Sequence, residues 1–200
     1  GFSIPYFVTS EEILASRNIS LESYTYKQLM NSIEQDCTGY AANHEDQITL
    51  HTMDYRFNNM LYQLLSFGNI NPVDWETLEL TLDKETFQET AQTALAIDAQ
   101  REKTKQVLQK YRRNFLEAAA RIAFLNDYAN VLYRCWYYDA SYKKGLNQKL
   151  RLMTIPSAND ANGYTGVVFS YGAMNRNSQH KEDAYLFLRA AMDTAFEGTD

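Results

Sequence analysis

The chain has 200 residues, 45% of them hydrophobic and 22% charged, which is the balance of a folded domain and not of a disordered segment. Its formal charge of -6 and isoelectric point near 5.1 exclude broad, non-specific nucleic-acid binding, which needs clustered Lys and Arg against phosphate. No stretch approaches the ~20 apolar residues of a membrane span.

Phe2 to Val8 reads as an extended segment, in which Pro5 suits an edge or crossover strand. Glu11 to Ser16 is a short helix. Thr25 followed three residues later by Gln28 is a capping-box pattern, and Leu29, Met30 and Ile33 give the helix it starts one apolar face. Gln47 to Leu50 alternates as a strand, and Asp54 to Phe67 reads as an apolar, aromatic helix ended by Gly68. Asp83 caps the next helix, with Phe87, Ala91, Ala94, Leu95 and Ile97 at helical spacing. That helix continues from Arg101 to Ala120, with Val107, Leu108, Tyr111 and Phe115 inside. Arg121 to Leu125 is a buried strand that breaks at Asn126 and Asp127, and Val131 to Tyr138 is a helix or turn crowded with aromatics. Leu150 to Ile155 and Val167 to Tyr171 are strands. Ser178 caps a last helix whose apolar positions are Ala184, Tyr185, Phe187, Leu188, Ala191 and Met192. The pattern predicts an α/β fold, helix-rich, with a small mixed sheet flanked by helices.

Chemical motifs are sparse. There is no glycine-rich phosphate loop, no nucleophile elbow and no HExxH pair. His44, His51 and His180 share no ligand spacing, so neither metal nor cofactor is implied. Asn159 to Gly163 resembles the start of a calcium loop, but the acidic residue that would close it is missing at Ser170 and Tyr171. The basic stretch from Arg101 to Arg113 is interleaved with Glu102 and reads as a solvated helix face. Cys37 and Cys135 have no CxxC partner, which leaves a disulfide and two free thiols both open. No spacing marks two carboxylates as an acid–base pair, so binding is expected and catalysis is not. Fifteen Tyr against ten Phe supply flat faces with hydroxyls, which suit pockets for polar ligands.

Four stretches, in order, resemble the sugar-type extracellular solute-binding proteins of ABC importers. The first runs from Ile13-Leu14 through Ile19 to Tyr24-Thr25-Tyr26-Lys27-Gln28-Leu29, with Tyr26 where the family often has Trp and Gln28 in place of the usual acid. Next come Tyr62 to Leu65, Asp74-Trp75-Glu76-Thr77 and Leu82 to Phe87, similar to a form frequent in Gram-positive members. Ala120 to Tyr128 occupies the place of the strand that ends in a cleft loop. Here the usual preceding glycine is absent and Asp127 stands where small residues are common. The fourth, most specific set is Thr154-Ile155-Pro156-Ser157 and Gly163, then Tyr171 to Asn175, Asn177-Ser178 and Ala184 to Leu188.

The resemblance implies a periplasmic-binding-protein-like lobe over 1–171, with a return crossing and helix toward a first lobe over 172–200. It implies capture of a small polar solute, most of all a sugar or oligosaccharide, with an ABC permease as partner. It also implies an extracellular site, anchored at the cell surface as a lipoprotein, and no cofactor. Ligands of open α/β sheets sit beyond strand carboxyl ends. That puts Asn126 and Asp127 as hydrogen-bonding groups and Tyr128 as a stacking ring in the cleft. A helix cap at Asn126 or Asp127, with Tyr128 in the core, is the other reading. Asp54 and Tyr55, after the strand at Gln47 to Leu50, and Trp136 complete the candidate ligand-binding set. Two further readings stand beside it: a helical interaction module using the aromatics from Tyr133 to Tyr142, and a carbohydrate-active enzyme. Three expectations follow. The strands at Gln47, Arg121 and Leu150 share one sheet, with the helices from Asp54 and Asp83 packed against it. Asn126, Asp127, Tyr128 and Tyr55 sit at one sheet edge, partly exposed. The last helix folds its apolar stripe back onto its own lobe, pairs or swaps it with a neighbouring copy, or is poorly ordered.

Overall fold

The computed structural model describes residues 2–52, 55–74, 76–129, 138–159, 167–168 and 177–197. The chain divides into two compact units, Ser3–Val167 and a second made of Val168–Asp200 with Gly1–Phe2.

The larger unit is built on a mixed sheet. Strands β1 (Phe2–Ser10), β2 (Ile48–His51), β3 (Ile122–Ala129) and β4 (Leu150–Thr154) lie in the order β2-β3-β1-β4. A two-residue strand, β5 (Val167–Val168), pairs with β1 off this path. β2 and β3 are parallel, whereas β1 runs antiparallel to both β3 and β4. β4 therefore points the same way as β3, and the carboxyl ends of β2, β3 and β4 share one edge. Tyr6 stands in register with Asp127 on one side and Thr154 on the other, and Phe7 with Asn126 and Met153. All three strands expected to share a sheet do so.

Helices cover both faces, which is why consecutive residues such as Phe7 and Val8 are both fully buried. On one face, Phe7, Phe124 and Met153 pack with Leu29, Met30 and Ile33 of α2 (Tyr26–Thr38). Met60 and Leu64 of α4 (Phe57–Phe67) and Ala94 and Ile97 of α5 (Lys84–Ala99) join that cluster. On the other face, Tyr6, Val8 and Leu125 meet Val107 of α6 (Arg101–Tyr111) and Ala119 of α7 (Phe115–Ala119). Tyr138 and Tyr142, the latter in a π-helical turn over Ser141–Leu146, complete it. Two short helices, α1 (Glu11–Ser16) and α3 (Tyr40–Asn43), fill the connections.

Local chemistry starts the helices where the sequence places them. The Thr25 hydroxyl accepts from Gln28 N at 3.3 Å while Gln28 Oε1 accepts from Thr25 N at 2.8 Å, the reciprocal capping box. Asp83 accepts from Thr86 N at 2.7 Å and heads α5. Gly68 ends α4 with its N–H on Leu64 O. A Cβ there would lie 2.6 Å from the Tyr26 ring, so the close approach of α4 to α2 requires glycine.

α5 rests mainly on α2 and α4, and its Ala94 and Ile97 share one core cluster with Phe7 and Phe124 of the sheet. Four expectations are corrected. α4 starts at Phe57, three residues later than Asp54, behind an Arg56 that offers no side-chain cap. The helix expected from Arg101 to Ala120 is two, because the Asn114 side chain accepts from Glu117 N at 3.3 Å and begins a new turn. Ser178 caps only the turn before the last helix, α8 (Lys181–Glu197), accepting from His180 N at 3.1 Å.

The fourth concerns the face of α8 itself. Tyr185, Leu186 and Phe187 are exposed, Phe187 at 73%, while Ala184 and Leu188 are half-buried. At 3.6 residues per turn, Tyr185 and Phe187 stand about 160° apart and cannot share one stripe. Among the described side chains the half-buried face is the narrower one of Ala184 and Leu188, so Tyr185 and Phe187 do not belong to a single wide stripe.

Candidate functional site

The shared carboxyl edge of β2, β3 and β4 is where an open α/β sheet leaves backbone and side-chain groups free for a ligand. Beyond β2, the backbone N–H of Thr52 has no ladder partner and donates to the Tyr55 hydroxyl at 3.1 Å. The Thr52 hydroxyl donates to Gln63 Oε1 at 2.9 Å. Tyr55 is thus a buried anchor whose ring belongs to the larger core cluster, and burial pushes its hydroxyl pKa up to about 12. The expected partial exposure of Tyr55 is not found. His51, the last residue of β2, is half-buried, and desolvation lowers its pKa.

The strand expected to break at Asn126 and Asp127 instead runs on to Ala129. The early part of β1 offers it further ladder partners, with Ile4 opposite Ala129 and Pro5 opposite Tyr128. Because side chains alternate along a strand, Asn126 and Asp127 lie on opposite faces. Asn126 is half-buried, with its Nδ2 3.5 Å from Tyr6 O. Asp127 is buried and accepts the Tyr138 hydroxyl at 2.7 Å, which corrects the expectation of an exposed carboxylate in a loop. Asp54, Trp136 and the Tyr128 side chain lie outside the described residues, and Asn126, Asp127 and Tyr55 each have separate partners, in Tyr6 O, the Tyr138 hydroxyl and Thr52 N. Tyr138 and Tyr142, two of the aromatics read as an interaction surface, are core residues.

A polar recess follows the end of β4. Tyr24 donates its hydroxyl to Thr154 O at 2.7 Å, holding the start of α2 against that strand end. There a cavity of about 230 Å³ is lined by Thr25, Lys27, Glu85, Thr86, Glu89 and Ser157, with Tyr26 and Ala158. Lys27 Nζ sits 2.6 Å from Glu85 and 2.5 Å from Glu89, and these two hydrogen bonds raise its pKa. Hydroxyls, an ammonium and two carboxylates in one recess can hydrogen-bond a polar solute. Sequence reasoning missed this recess, because its residues come from three distant segments.

Also unforeseen is a buried charge network at the opposite, amino edge of the sheet. Arg17 donates to Asp36 Oδ2 at 2.9 Å, to Gln47 Oε1 at 2.7 Å and to Arg121 O at 2.9 Å. Thr49 donates its hydroxyl to the same Asp36 oxygen at 2.6 Å, and the guanidinium lies 4.8 Å from the Tyr40 ring centre. Burial lowers the Arg17 pKa, and the neighbouring Asp36 carboxylate opposes that shift.

Among the described residues, no three His, Cys, Asp or Glu side chains converge to hold a metal ion. His44 bonds Tyr40 O, and His180 lies 3.7 Å from Asp183. Cys37 is a buried free thiol whose pKa desolvation pushes up to about 12, and Cys135 lies outside the described residues. Native Cys37 is therefore expected to resist a thiol reagent at pH 8 and to react once denaturant unfolds the chain. The thiolate also costs stability as pH rises from about 9, the unfolded value, toward 12. Mass-spectrometric mapping of labelled peptides checks this, and rapid labelling of the native protein at Cys37 would contradict it.

Among the described residues, no helix is long and apolar enough to cross a membrane. No protein-family model matches the chain, and no curated protein matches it.

Proposed function

We propose that this chain is a lobe of an extracellular solute-binding protein that serves an ABC importer. It captures a small polar solute, a sugar or oligosaccharide, between two lobes that close around it. The observation that carries the reading is the sheet: β1 lies antiparallel between β3 and β4, so three parallel strands open their carboxyl ends along one edge. The hydroxyls and charges in the recess after β4 add hydrogen-bonding groups of the kind a sugar needs. The resemblance of the ordered motifs from Ile13 to Leu188 supports that family, and with it a location outside the cytoplasmic membrane, a lipid anchor and a permease partner.

Thermal unfolding against a panel of mono- and oligosaccharides, peptides and polyamines tests the reading. A cognate sugar at one hundred times its Kd is expected to stabilise the protein by about 2.7 kcal/mol. Stabilisation by peptides or polyamines alone would move the solute class. A melting temperature indifferent to every solute would overturn the proposal.

A further inference from the structure

Between α4 and α5 the chain folds into a tight hairpin that holds two leucines in water. Asp74 N donates to Glu79 O at 2.9 Å, Leu78 N donates to Asp74 O at 2.7 Å, and Val73 bridges Leu80. The Asp74 carboxylate accepts from Glu76 N at 2.8 Å and Thr77 N at 3.2 Å, and Thr81 closes the base on Pro72 O and Asn71 O. Within this frame Leu78 takes φ 60°, a left-handed conformation that a leucine seldom enters. Leu78 is 74% exposed and Leu80 81%. Residues 69–83 contain Asp74, Glu76, Glu79 and Asp83 and no Lys or Arg.

Strained backbone persists where the surroundings over-determine it, and such sites concentrate where molecules are recognised. Here the hydrogen bonds fix two apolar side chains outward, which lowers the entropy lost on docking. We propose that the hairpin is a docking knob for another protein, with Leu78 and Leu80 entering an apolar pocket whose rim carries Lys or Arg opposite Glu76 and Glu79. Anionic lipid head groups would repel the same carboxylates. A second copy of this chain, at net charge -6, would repel them on average as well. The surface is independent of the solute reading.

A photoreactive benzoylphenylalanine placed at Leu80 of the intact protein, irradiated in its source cells, tests the knob. The expected adduct is one protein, cross-linked at apolar residues bordered by Lys or Arg, and its yield falls about tenfold with Glu76→Lys and Glu79→Lys together. Leu78→Gly is expected to reduce the adduct while leaving the melting temperature equal or higher, because glycine accepts φ 60° without strain. A lower melting temperature would show that Leu78 serves the fold, and overturns the proposal. Adducts with lipid, with a second copy or with nothing overturn it too. Solute-induced stabilisation is expected to survive every hairpin variant, so the two proposals fail separately.

Discussion

Asp36→Ala is expected to destabilise the protein by about 3–5 kcal/mol, seen in urea as a lower midpoint at unchanged slope. The Arg17 and Asp36 side chains are 1% and 0% exposed, so removing the carboxylate strands a guanidinium that cannot reach water. Gln47 Oε1, Arg121 O and the Tyr40 ring stay in place, but none carries a compensating charge. Thr49 loses its acceptor in the same step. Asp36→Asn keeps an oxygen for Thr49 and is expected to lose less. Replacing both partners, Arg17→Met with Asp36→Leu, should recover most of the loss, since a buried pair adds little over apolar residues of like volume. A loss below about 1 kcal/mol for Asp36→Ala would show that the Arg17 charge finds solvent.

The second large effect lies at the sheet centre. Phe124 is fully buried, its ring centroid 5.5 Å from that of Phe7 with the planes tilted by 56°. Truncation to alanine removes the transfer energy of the ring and leaves a cavity in a layer closed by α2 and α4, about 3–5 kcal/mol. Phe7→Ala should cost a similar amount. Because each ring packs on the other, the double variant should fall short of the sum by about 0.5–1.5 kcal/mol. Equilibrium denaturation of the two single variants and the double variant measures this coupling, and strict additivity would deny that the rings stabilise one another.

Much of the fold is legible where one short-range cause decides it. Thr25 with Gln28, Asp83 and Gly68 carry capping chemistry in their own side chains or lack of one, and α2, α5 and the end of α4 fall where those residues put them. Periodicity alone misjudges α5. Leu95 is 54% exposed, while Thr90 and Thr93 are buried, each donating to the carbonyl four residues back, Thr86 O and Glu89 O. Thr93 also reaches Met30 O, and Thr90 lies 3.2 Å from the Tyr26 hydroxyl. Small hydroxylated residues that satisfy themselves on their own helix leave no trace in a hydrophobic pattern. Strand ends are opaque for a different reason. β3 continues through Asn126 and Asp127 because β1, more than a hundred residues earlier, supplies the ladder. The same distance hides the Arg17–Asp36 pair and the recess at Lys27, Glu85 and Ser157, whose members meet only once the sheet exists.

The position of β1 also sets an order of events. Within this sheet β1 precedes both of its partners in the chain, for its neighbours are residues 125–129 on one side and 150–154 on the other. A ribosome adding about 5–20 residues per second leaves this apolar segment without its lasting partners for several seconds or more. Contacts so far apart in sequence slow the search for the native pairing, since the loop must be closed before the ladder rewards it. During that interval Phe7 and Val8 form part of an unpaired edge open to any other extended chain, which makes the nascent protein a natural client for holding chaperones.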